Sequence, residues 1–473
     1  MDHSYVVSWM LITCIAAVSY FLTYVFSIYQ HEPYMDEVFH VRQTLKYIQG
    51  DWKSWDNKIT TPPGLYVAFV FAHKLLGLMG ALPTKLFAMH FRLLSVLFST
   101  LNHVVILRLI RIMKCDSPNI LAMAVVSEPL LIFFSAFYYT DHCSILFVMV
   151  SVYFSLLHHN WLSALFLSYS IFTRQSNIVW VPLLMCIHAS RRLSQDIFGH
   201  DRCSSIIWIR RLLYKVALHP FYFVRVTLKC VFQSCLPFLL VLVAFMYFVI
   251  INKGIVLGDR EAHTAVLNIP QFFYFVTFCA LSTPFHFADF LVSSVKSFSS
   301  LVVNRRWNAL SMHLLTTLIL ILFILISLKY CFFVHPYLVA DNRHYTFYVW
   351  RKVIYRSIPT YYALSIVYLV ALVYFVKTLF LSRRSILFGT FMERLTVIVC
   401  TFIVVVASKL LELRYFLIPY ILWRVFSFSY AHYKYLFCEI LWNLSIAFIT
   451  AYLFIFKSFE WPSEPGVYQR FMW

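Results

Sequence analysis

Long apolar runs recur along the whole sequence and are the feature that most restricts what this chain can fold into. The clearest examples are Val6–Ser27, Phe87–Leu107, Leu310–Phe333 and Ile358–Leu381. Each run is long enough to cross the roughly 30 Å hydrocarbon core of a bilayer as a helix. With 61% hydrophobic and only 12% charged residues, the chain has too little polar surface for a soluble globule. We therefore predict an all-α membrane protein, a polytopic helical bundle formed by residues 1–473 as a single domain.

The excess of basic residues gives information about topology. The sequence contains 39 Lys and Arg against 20 Asp and Glu, which makes its net charge +19. In a soluble protein such an excess would suggest nucleic-acid binding. Here the cations mostly lie in short clusters between apolar runs, as is typical of cytoplasmic loops, so no nucleic-acid partner is predicted. The longest such segment, residues 190–233, is predicted to be a basic cytoplasmic loop.

Alternating the loops across the bilayer predicts about 12 to 13 transmembrane spans. The run Leu65–Met79 is short and contains His73 and Lys74, so we expect it to lie at the interface. Loops on one side then carry mixed acidic, basic, amide and aromatic residues, whereas loops on the other side carry mainly Arg and Lys. The first polar loop, 30–86, and the later loop, 335–357, fall on the mixed side. This asymmetry indicates an active site on one face of the membrane.

The sequence patterns of several common kinds of site do not occur in this chain. Most of the eleven cysteines lie in or beside apolar runs, and neither a CxxC pair nor a His/Cys spacing typical of zinc occurs. We predict no disulfide framework, no cofactor and no essential metal ion; the sequence also has no DxD. A Gly-rich phosphate loop, GxSxG and HExxH are also missing, which argues against an ATP-driven pump or a metallopeptidase.

The first polar loop concentrates carboxylates just outside a predicted span. Asp36 and Glu37 are adjacent, and nearby cations or burial can shift the pKa of either group. A carboxylate placed here can take a proton from a hydroxyl, so this pair is the best candidate for a general base. The alternative is a solvated connector. The proline-rich turn Thr60–Gly64 directs the chain back to the membrane in a set geometry and favours the roof of an active site.

A second polar block, Ala340–Lys352, combines cations, an amide and four aromatic rings. Arginine forks match phosphate oxygens and histidine adds a donor, while aromatic faces can stack on sugars or line an isoprenoid groove. The alternative is an interfacial belt with snorkelling cations. An aspartate and an asparagine at its head fit that belt poorly. The candidate substrate-binding residues of this block are Asp341, Asn342, Arg343, His344 and Arg351.

Three shorter polar blocks interrupt the apolar pattern elsewhere. Charged and amide residues at membrane depth usually face a cavity or a partner, which makes these blocks candidates for substrate contacts. For Glu412 and Arg414, an internal ion pair that fixes helix orientation is an equally good interpretation. The candidates are Arg174 and Gln175, then Asp259, Arg260 and His263, and lastly Arg414, together with Glu37 of the first loop.

Together these blocks resemble a known enzyme family. EPYMDEVFH, WDNKITTPPGLY, FTRQSNIVWV, GDREAH…PQFFYF, VADNRHYTFYVWRKV, LELRYFLIPY and QRFMW are similar, in order, to the eukaryotic dolichyl-phosphate-glucose-dependent α-1,2-glucosyltransferases. The resemblance extends from Glu32 to Trp473. Two positions depart from the family pattern: Asp141 stands where glutamate is expected, and a second proline occurs in TTPPGLY.

The resemblance implies an enzyme of the GT-C type in the endoplasmic reticulum membrane, with its active site facing the lumen. The implied donor is dolichyl phosphate glucose, and the implied acceptor is the diglucosylated oligosaccharide on dolichyl diphosphate. A β-linked donor and an α-linked product require inversion by a single displacement, with one base and a stabilised phosphate leaving group. By resemblance the base is Asp36. On the chemical argument above, the residues that stabilise the leaving phosphate are Arg343, His344 and Arg351.

Two other functions are alternatives to glucosyl transfer. A dolichyl-phosphate-mannose-dependent transferase would use the same scaffold with a different sugar. A secondary transporter or lipid flippase is disfavoured, because the sequence shows no internal repeat and its nine glycines are few for a fold with broken spans.

Overall fold

The computed structural model is a helical membrane protein with one small β-hairpin. It describes residues 3–81, 85–198, 210, 213–214, 216–260, 266–381, 391–427 and 432–473. The helices of the first half are His3–Tyr29, Glu37–Ile48, Gly64–Leu78, Ala88–Ile112, Pro118–Val126, Pro129–Phe134, Thr140–Leu156, Asn160–Thr173 and Trp180–Phe198.

The second half continues with helices, short turns of other types and the hairpin. The helices are Pro220–Cys230, Leu236–Asn252, Pro270–Ser282, Pro284–Val303, Trp307–Tyr330, Pro336–Ala340, Tyr345–Val349, Ile358–Leu381, Phe391–Val406, Leu417–Ser427 and Tyr433–Phe456. The 3-10 turns are Gln175–Val179 and Leu413–Phe416, the π-turns are Val231–Cys235 and Trp350–Ile354, and the strands are Phe459–Trp461 and Glu464–Gln469.

The prediction of a polytopic helical membrane protein is confirmed. Among the described residues, six helices are long and apolar enough to cross a bilayer, and up to seven if a bent pair counts as one span. That pair, Pro270–Ser282 and Pro284–Val303, bends by 100° at Thr283. The prediction of twelve to thirteen crossings exceeds this number, because several apolar runs fold as shorter or broken helices.

Proline is the physical reason for these breaks. The run from Ile120 to Phe137 is predicted as one span, but Pro129 divides it into two short helices. Proline lacks the N–H that a helix interior needs, whereas it is well suited to the first helical turn. The Glu128 side chain accepts hydrogen bonds from the backbone N–H groups of Leu130 and Leu131 and so caps the second helix.

The basic segment 190–233 also differs from the loop that was predicted. Its last part is helical from Pro220, and this helix continues through the π-turn to Asn252. The combined element Pro220–Asn252 spans 33 residues and is apolar enough to cross a membrane. The start of the segment belongs to the helix Trp180–Phe198, and residues 199–209, 211–212 and 215 lie outside the described residues.

The first polar loop folds into two helices. Glu37–Ile48 begins directly after Asp36, and the apolar helix Gly64–Leu78 is only 15 residues long, which agrees with an element too short to cross. The backbone of Gly64 is packed tightly against the end of the helix Asn160–Thr173, where the Tyr169 hydroxyl donates to the Gly64 carbonyl at 2.9 Å. This contact fixes the turn that precedes the second helix.

A methyl group at position 64 is expected to destabilise the fold by about 1–3 kcal/mol, the usual cost of overpacking. An alanine Cβ there would lie 2.6 Å from both the Phe172 carbonyl oxygen and the Thr173 hydroxyl. The midpoint of thermal unfolding in detergent measures the loss for Gly64→Ala. Gly254→Ala is the matched control, because open space surrounds Gly254. Equal midpoints for the two variants would contradict the prediction.

The last residues of the chain form an element that sequence analysis missed. The two strands pair antiparallel, and Gly466 in the second strand has a φ of +81°, which glycine adopts without strain. Beyond the second strand, the Met472 N–H donates to the Arg343 carbonyl at 2.9 Å, and the Tyr345 N–H donates to the Met472 carbonyl at 2.9 Å. The segment 459–473 therefore packs onto the second polar block.

Candidate active site

Residues from four distant blocks meet around one guanidinium. Arg414 Nη2 lies 3.3 Å from an Asp36 carboxylate oxygen and 2.8 Å from one of Glu412. The other terminal nitrogen of Arg414 is 3.9 Å from Asp141, and Asp141 is 2.9 Å from Arg174. Three carboxylates and two arginines thus alternate in one network, which we call the Arg414 cluster: Asp36, Asp141, Arg174, Glu412 and Arg414.

Asp36 is the member of this cluster that faces open space. Its side chain is 46% exposed, whereas that of Asp141 is 1% exposed and that of Glu412 is 17% exposed. Although Asp36 stands directly before the helix Glu37–Ile48, its carboxylate does not cap that helix. The group is therefore held by Arg414 on one side and accessible to a substrate on the other.

The charges around Asp36 keep it ionised. Burial raises the pKa of this carboxyl, but the Arg414 guanidinium, together with His40 and His344 when these are protonated, outweighs burial and holds the pKa below its usual value. A carboxylate that is deprotonated at neutral pH and reachable from outside has the properties of a general base.

The contacts of Arg414 are compatible with both interpretations that the sequence left open. Arg414 pairs with Glu412 as an internal ion pair, and it also contacts the candidate base Asp36. The guanidinium lies 4.9 Å from the centroid of the Tyr139 ring, an aromatic contact that further fixes its position. Carboxylates on several sides raise the pKa of Arg414 against the effect of burial, so its positive charge is permanent.

Asp141 and Arg174 form the buried floor of the Arg414 cluster. Arg174 Nε donates to the Thr140 hydroxyl at 2.8 Å while its terminal nitrogen pairs with Asp141. Sequence analysis selected Arg174 but did not place Asp141 among the site residues. The signal for Asp141 was present, since a carboxylate between apolar runs needs a partner within the membrane protein.

Glu37 lies next to Asp36 but has a different environment. Its side chain is 1% exposed and its carboxylate is fully occupied: Arg92 donates twice, at 3.0 and 2.7 Å, and two backbone N–H groups donate at 2.7 and 3.1 Å. Those N–H groups belong to Tyr138 and Tyr34. Glu37 therefore joins the first loop, the helix Ala88–Ile112 and the segment before Thr140, and it has no free lone pair aimed at a substrate.

His40 adds a neutral polar group beside the base. Burial lowers the pKa of this histidine to about 4, so the imidazole is uncharged at neutral pH. Its Nδ1 lies 2.7 Å from the Tyr66 hydroxyl, which fixes the ring.

The second polar block is held by the end of the chain. Asp341 accepts two side-chain hydrogen bonds from Arg343, the shorter at 2.7 Å, and Arg343 also stacks over the Trp461 ring at 4.5 Å. Asn342 accepts a hydrogen bond from the Trp461 indole at 2.8 Å. The His344 Nδ1 lies 3.0 Å from the Trp473 carbonyl oxygen. The C-terminal segment thus contacts three of the five residues proposed in this block, and Asp341 is held through Arg343.

This block and the Arg414 cluster lie beside each other. His344 is close enough to Asp36 to lower the pKa of that carboxyl. The first polar loop also contacts the C-terminal segment directly. The Tyr34 hydroxyl donates to the Arg470 carbonyl at 2.9 Å and accepts from the Arg470 N–H at 2.8 Å. The first polar loop, the block 341–344 and the C-terminal segment therefore form one continuous site.

Residues 30–425 match the sequence model of the DIE2/ALG10 family. The chain belongs to this family. A mouse relative is 33% identical over 98% of both chains, and a human relative is 32% identical over the same shares. A relative from the yeast Yarrowia lipolytica is 29% identical over 94% of both. All three are named Dol-P-Glc:Glc(2)Man(9)GlcNAc(2)-PP-Dol alpha-1,2-glucosyltransferase. The resemblance found in the sequence is confirmed.

The remaining residues proposed for the site have different surroundings. Gln175 donates to the Thr60 carbonyl at 2.7 Å and so holds the proline-rich turn in place. Asp259 and Arg260 are exposed, and Arg260 donates to the Asn252 carbonyl at 2.7 Å. His263 lies outside the described residues. Arg351 lies in a separate cleft, where its guanidinium is 6.0 Å from the centroid of the Phe347 ring.

Among the residues that the structure describes, no group of three or more His, Cys, Asp or Glu side chains is arranged to hold a metal ion. The carboxylates of the Arg414 cluster are instead neutralised by two arginines.

Removal of Arg414 is expected to move the acidic limb of the pH–activity profile to higher pH. Without the guanidinium, burial dominates and the pKa of Asp36 rises, so the base is protonated at a pH where the native enzyme still works. The residual rate of Arg414→Gln, measured between about pH 4 and 8, reports this shift. Arg42→Gln is the control, because Arg42 is exposed on the neighbouring helix. An unchanged limb would contradict the prediction.

Proposed function

We propose that this protein transfers glucose from dolichyl phosphate glucose to the diglucosylated oligosaccharide on dolichyl diphosphate, forming the terminal α-1,2 linkage. The relatives' shared name supports the substrates. The observation that carries the mechanism is Asp36: an ionised, half-exposed carboxylate beside Arg414 and His344. It is the member of the Arg414 cluster that a sugar hydroxyl can reach most easily.

In the proposed reaction Asp36 accepts the proton of the 2-hydroxyl on the terminal glucose of the acceptor. That oxygen attacks the anomeric carbon of the donor glucose as the bond from this carbon to the phosphate oxygen breaks. The electron pair of the broken bond leaves with dolichyl phosphate. Attack from the face opposite the phosphate converts a β-linked donor into an α-linked product, as a single displacement requires.

The cations around Asp36 stabilise the departing phosphate. Dolichyl phosphate leaves as an anion. It is therefore stabilised by positive charge and does not require a general acid. His344 and Arg343 are oriented for this by the C-terminal segment, and Arg414 lies on the other side of Asp36. Asp341 balances part of the charge of Arg343, as Asp36 and Glu412 balance that of Arg414, so these side chains act mainly as oriented hydrogen-bond donors to the phosphate. Asp341, Asn342 and Glu37 position these groups and do not contact the substrate.

We place the site in the lumen of the endoplasmic reticulum. The first polar loop and the block 335–357 join in one site, and they differ in composition from the basic segment 190–233. The excess of Arg and Lys in that segment favours a cytoplasmic side for it and the opposite side for the site. Gln175, Asp259 and Arg260 then line the approach of the oligosaccharide.

The test is a transfer reaction with purified protein in lipid nanodiscs. Dolichyl phosphate glucose and dolichyl phosphate mannose are supplied separately, each with acceptors carrying one or two glucoses. We expect the glycan mass to increase by one hexose only with the glucose donor and the diglucosylated acceptor, and the new linkage to be α-1,2. Transfer from the mannose donor, or lipid movement without transfer, would replace the proposal by the corresponding alternative.

A further inference from the structure

A cleft of about 420 Å³ lies apart from Asp36 and is lined by three cations and two aromatic rings. The lining residues are Phe347, Tyr348, Arg351, Lys352 and Arg356. We call it the basic cleft. It is open to one side, and the three cations are exposed.

Within the described residues, the cations of the basic cleft have no anionic partner. Across the described parts of the chain, no carboxylate lies within 4 Å of any of the three, and their contacts are aromatic: Arg351 is 6.0 Å from the Phe347 ring and Lys352 is 5.5 Å from the Tyr348 ring. By contrast, Arg92, Arg174, Arg343, Arg414 and Arg424 all form ion pairs with carboxylates. The cations of the basic cleft repel one another. A multiply charged anion bound between them would offset this repulsion and would therefore be stabilised there.

The local backbone holds the cations in this arrangement. Arg351 and Lys352 lie on the π-turn Trp350–Ile354, whose first and last side chains are buried. The Trp350 ring stacks on Phe332 at 5.4 Å, which anchors the turn against the preceding span. The turn leads directly into the apolar helix Ile358–Leu381. The basic cleft therefore lies next to the start of a helix that is long and apolar enough to cross a membrane, and we expect lipid phosphate groups near this end of the helix.

We propose that the basic cleft binds the diphosphate of the lipid-linked acceptor. This rests on the proposed function, in which the acceptor carries its reacting hydroxyl at one end of the glycan and its diphosphate at the other. With the hydroxyl at Asp36, the diphosphate needs a separate site beside the bilayer that holds the dolichol. Two arginine forks and a lysine match the oxygens and charge of a diphosphate better than those of a monophosphate. Arg351 thus remains a substrate-binding residue, for the acceptor and not for the donor phosphate.

The test compares the two substrates in nanodiscs of phosphatidylcholine. For the double variant Lys352→Glu, Arg356→Glu, we expect KM for the acceptor to rise at least tenfold, while KM for the donor and kcat at saturating acceptor stay the same. Single variants Lys352→Met and Arg356→Met, with smaller increases, provide the same test if the double variant does not fold. Arg305→Glu, Arg306→Glu is the matched control, because those exposed cations lie elsewhere on the protein.

A binding assay separates this proposal from the proposed function. Polyprenyl diphosphate without a glycan should compete with a labelled polyprenyl diphosphate on the native protein and lose affinity on the double variant, whether or not transfer occurs. Polyprenyl monophosphate should compete weakly. An increase in KM for the donor instead of the acceptor, or displacement of the label by phosphatidylinositol as strongly as by the diphosphate, would overturn the assignment. Absence of transfer by the native protein would overturn the proposed function alone.

Discussion

The Asp36→Asn variant is expected to transfer glucose about 10³-fold more slowly than the native enzyme, which is the usual size of a general-base contribution. The amide keeps the size of the side chain but cannot accept the proton of the acceptor hydroxyl. Because Asp36 is half exposed and does not cap its helix, its loss should not unfold the protein. The rate at saturating donor and acceptor, measured in nanodiscs, is the readout.

The control for this variant is Asp51→Asn. Asp51 is an exposed carboxylate of the same loop, and its side chain accepts hydrogen bonds from the backbone N–H groups of Lys53 and Ser54, which an asparagine oxygen also accepts. Its activity should equal that of the native enzyme. Retention of more than about a tenth of the native rate by Asp36→Asn would remove Asp36 from the mechanism, since a general base contributes at least 10²-fold.

The Arg92→Met variant is expected to lose about 3–5 kcal/mol of the free energy of unfolding, the typical cost of breaking a buried ion pair from one side. Arg92 is fully buried and donates to both oxygens of Glu37. Without it the Glu37 carboxylate remains buried with two backbone donors but no opposite charge. Thermal unfolding in detergent and the monodisperse yield after purification measure the loss.

Two further variants make this second result specific. Arg108 lies on the same helix but is exposed, so Arg108→Met should leave stability nearly unchanged. The double variant Arg92→Met, Glu37→Leu removes both charges and should regain part of the loss, because no uncompensated charge is then buried. A double variant as unstable as the sum of the single variants would show that the ion pair itself is not the cause.

The sequence predicted the chemistry of the site better than its architecture. Asp36, Arg343 and His344 were recognisable because charged residues stand out in an apolar chain and because their blocks resemble a family. That these blocks meet follows from tertiary contacts, such as the Tyr34–Arg470 pair, that join residues more than four hundred positions apart. No local pattern carries that information.

The same reasoning explains what was missed. Arg92 lies inside an apolar run, and nothing near it in the sequence identifies Glu37 as its partner. Pro129 and Pro284 each interrupt an apolar run. Each of these runs was predicted as one straight span, so the predicted number of crossings was too high. The C-terminal strands are short and polar, so neither hydrophobic periodicity nor length distinguished them from a tail.

The placement of residues 469–473 has a consequence for biosynthesis. They hold Arg343 and His344 on one side and the Asp36 loop on the other, yet they follow all of the helices described above in the order of translation. Insertion of the helices by the translocon therefore cannot by itself assemble a working centre. An extension fused directly after Trp473 would crowd the very contacts that close it, whereas a fusion before the first helix leaves them untouched.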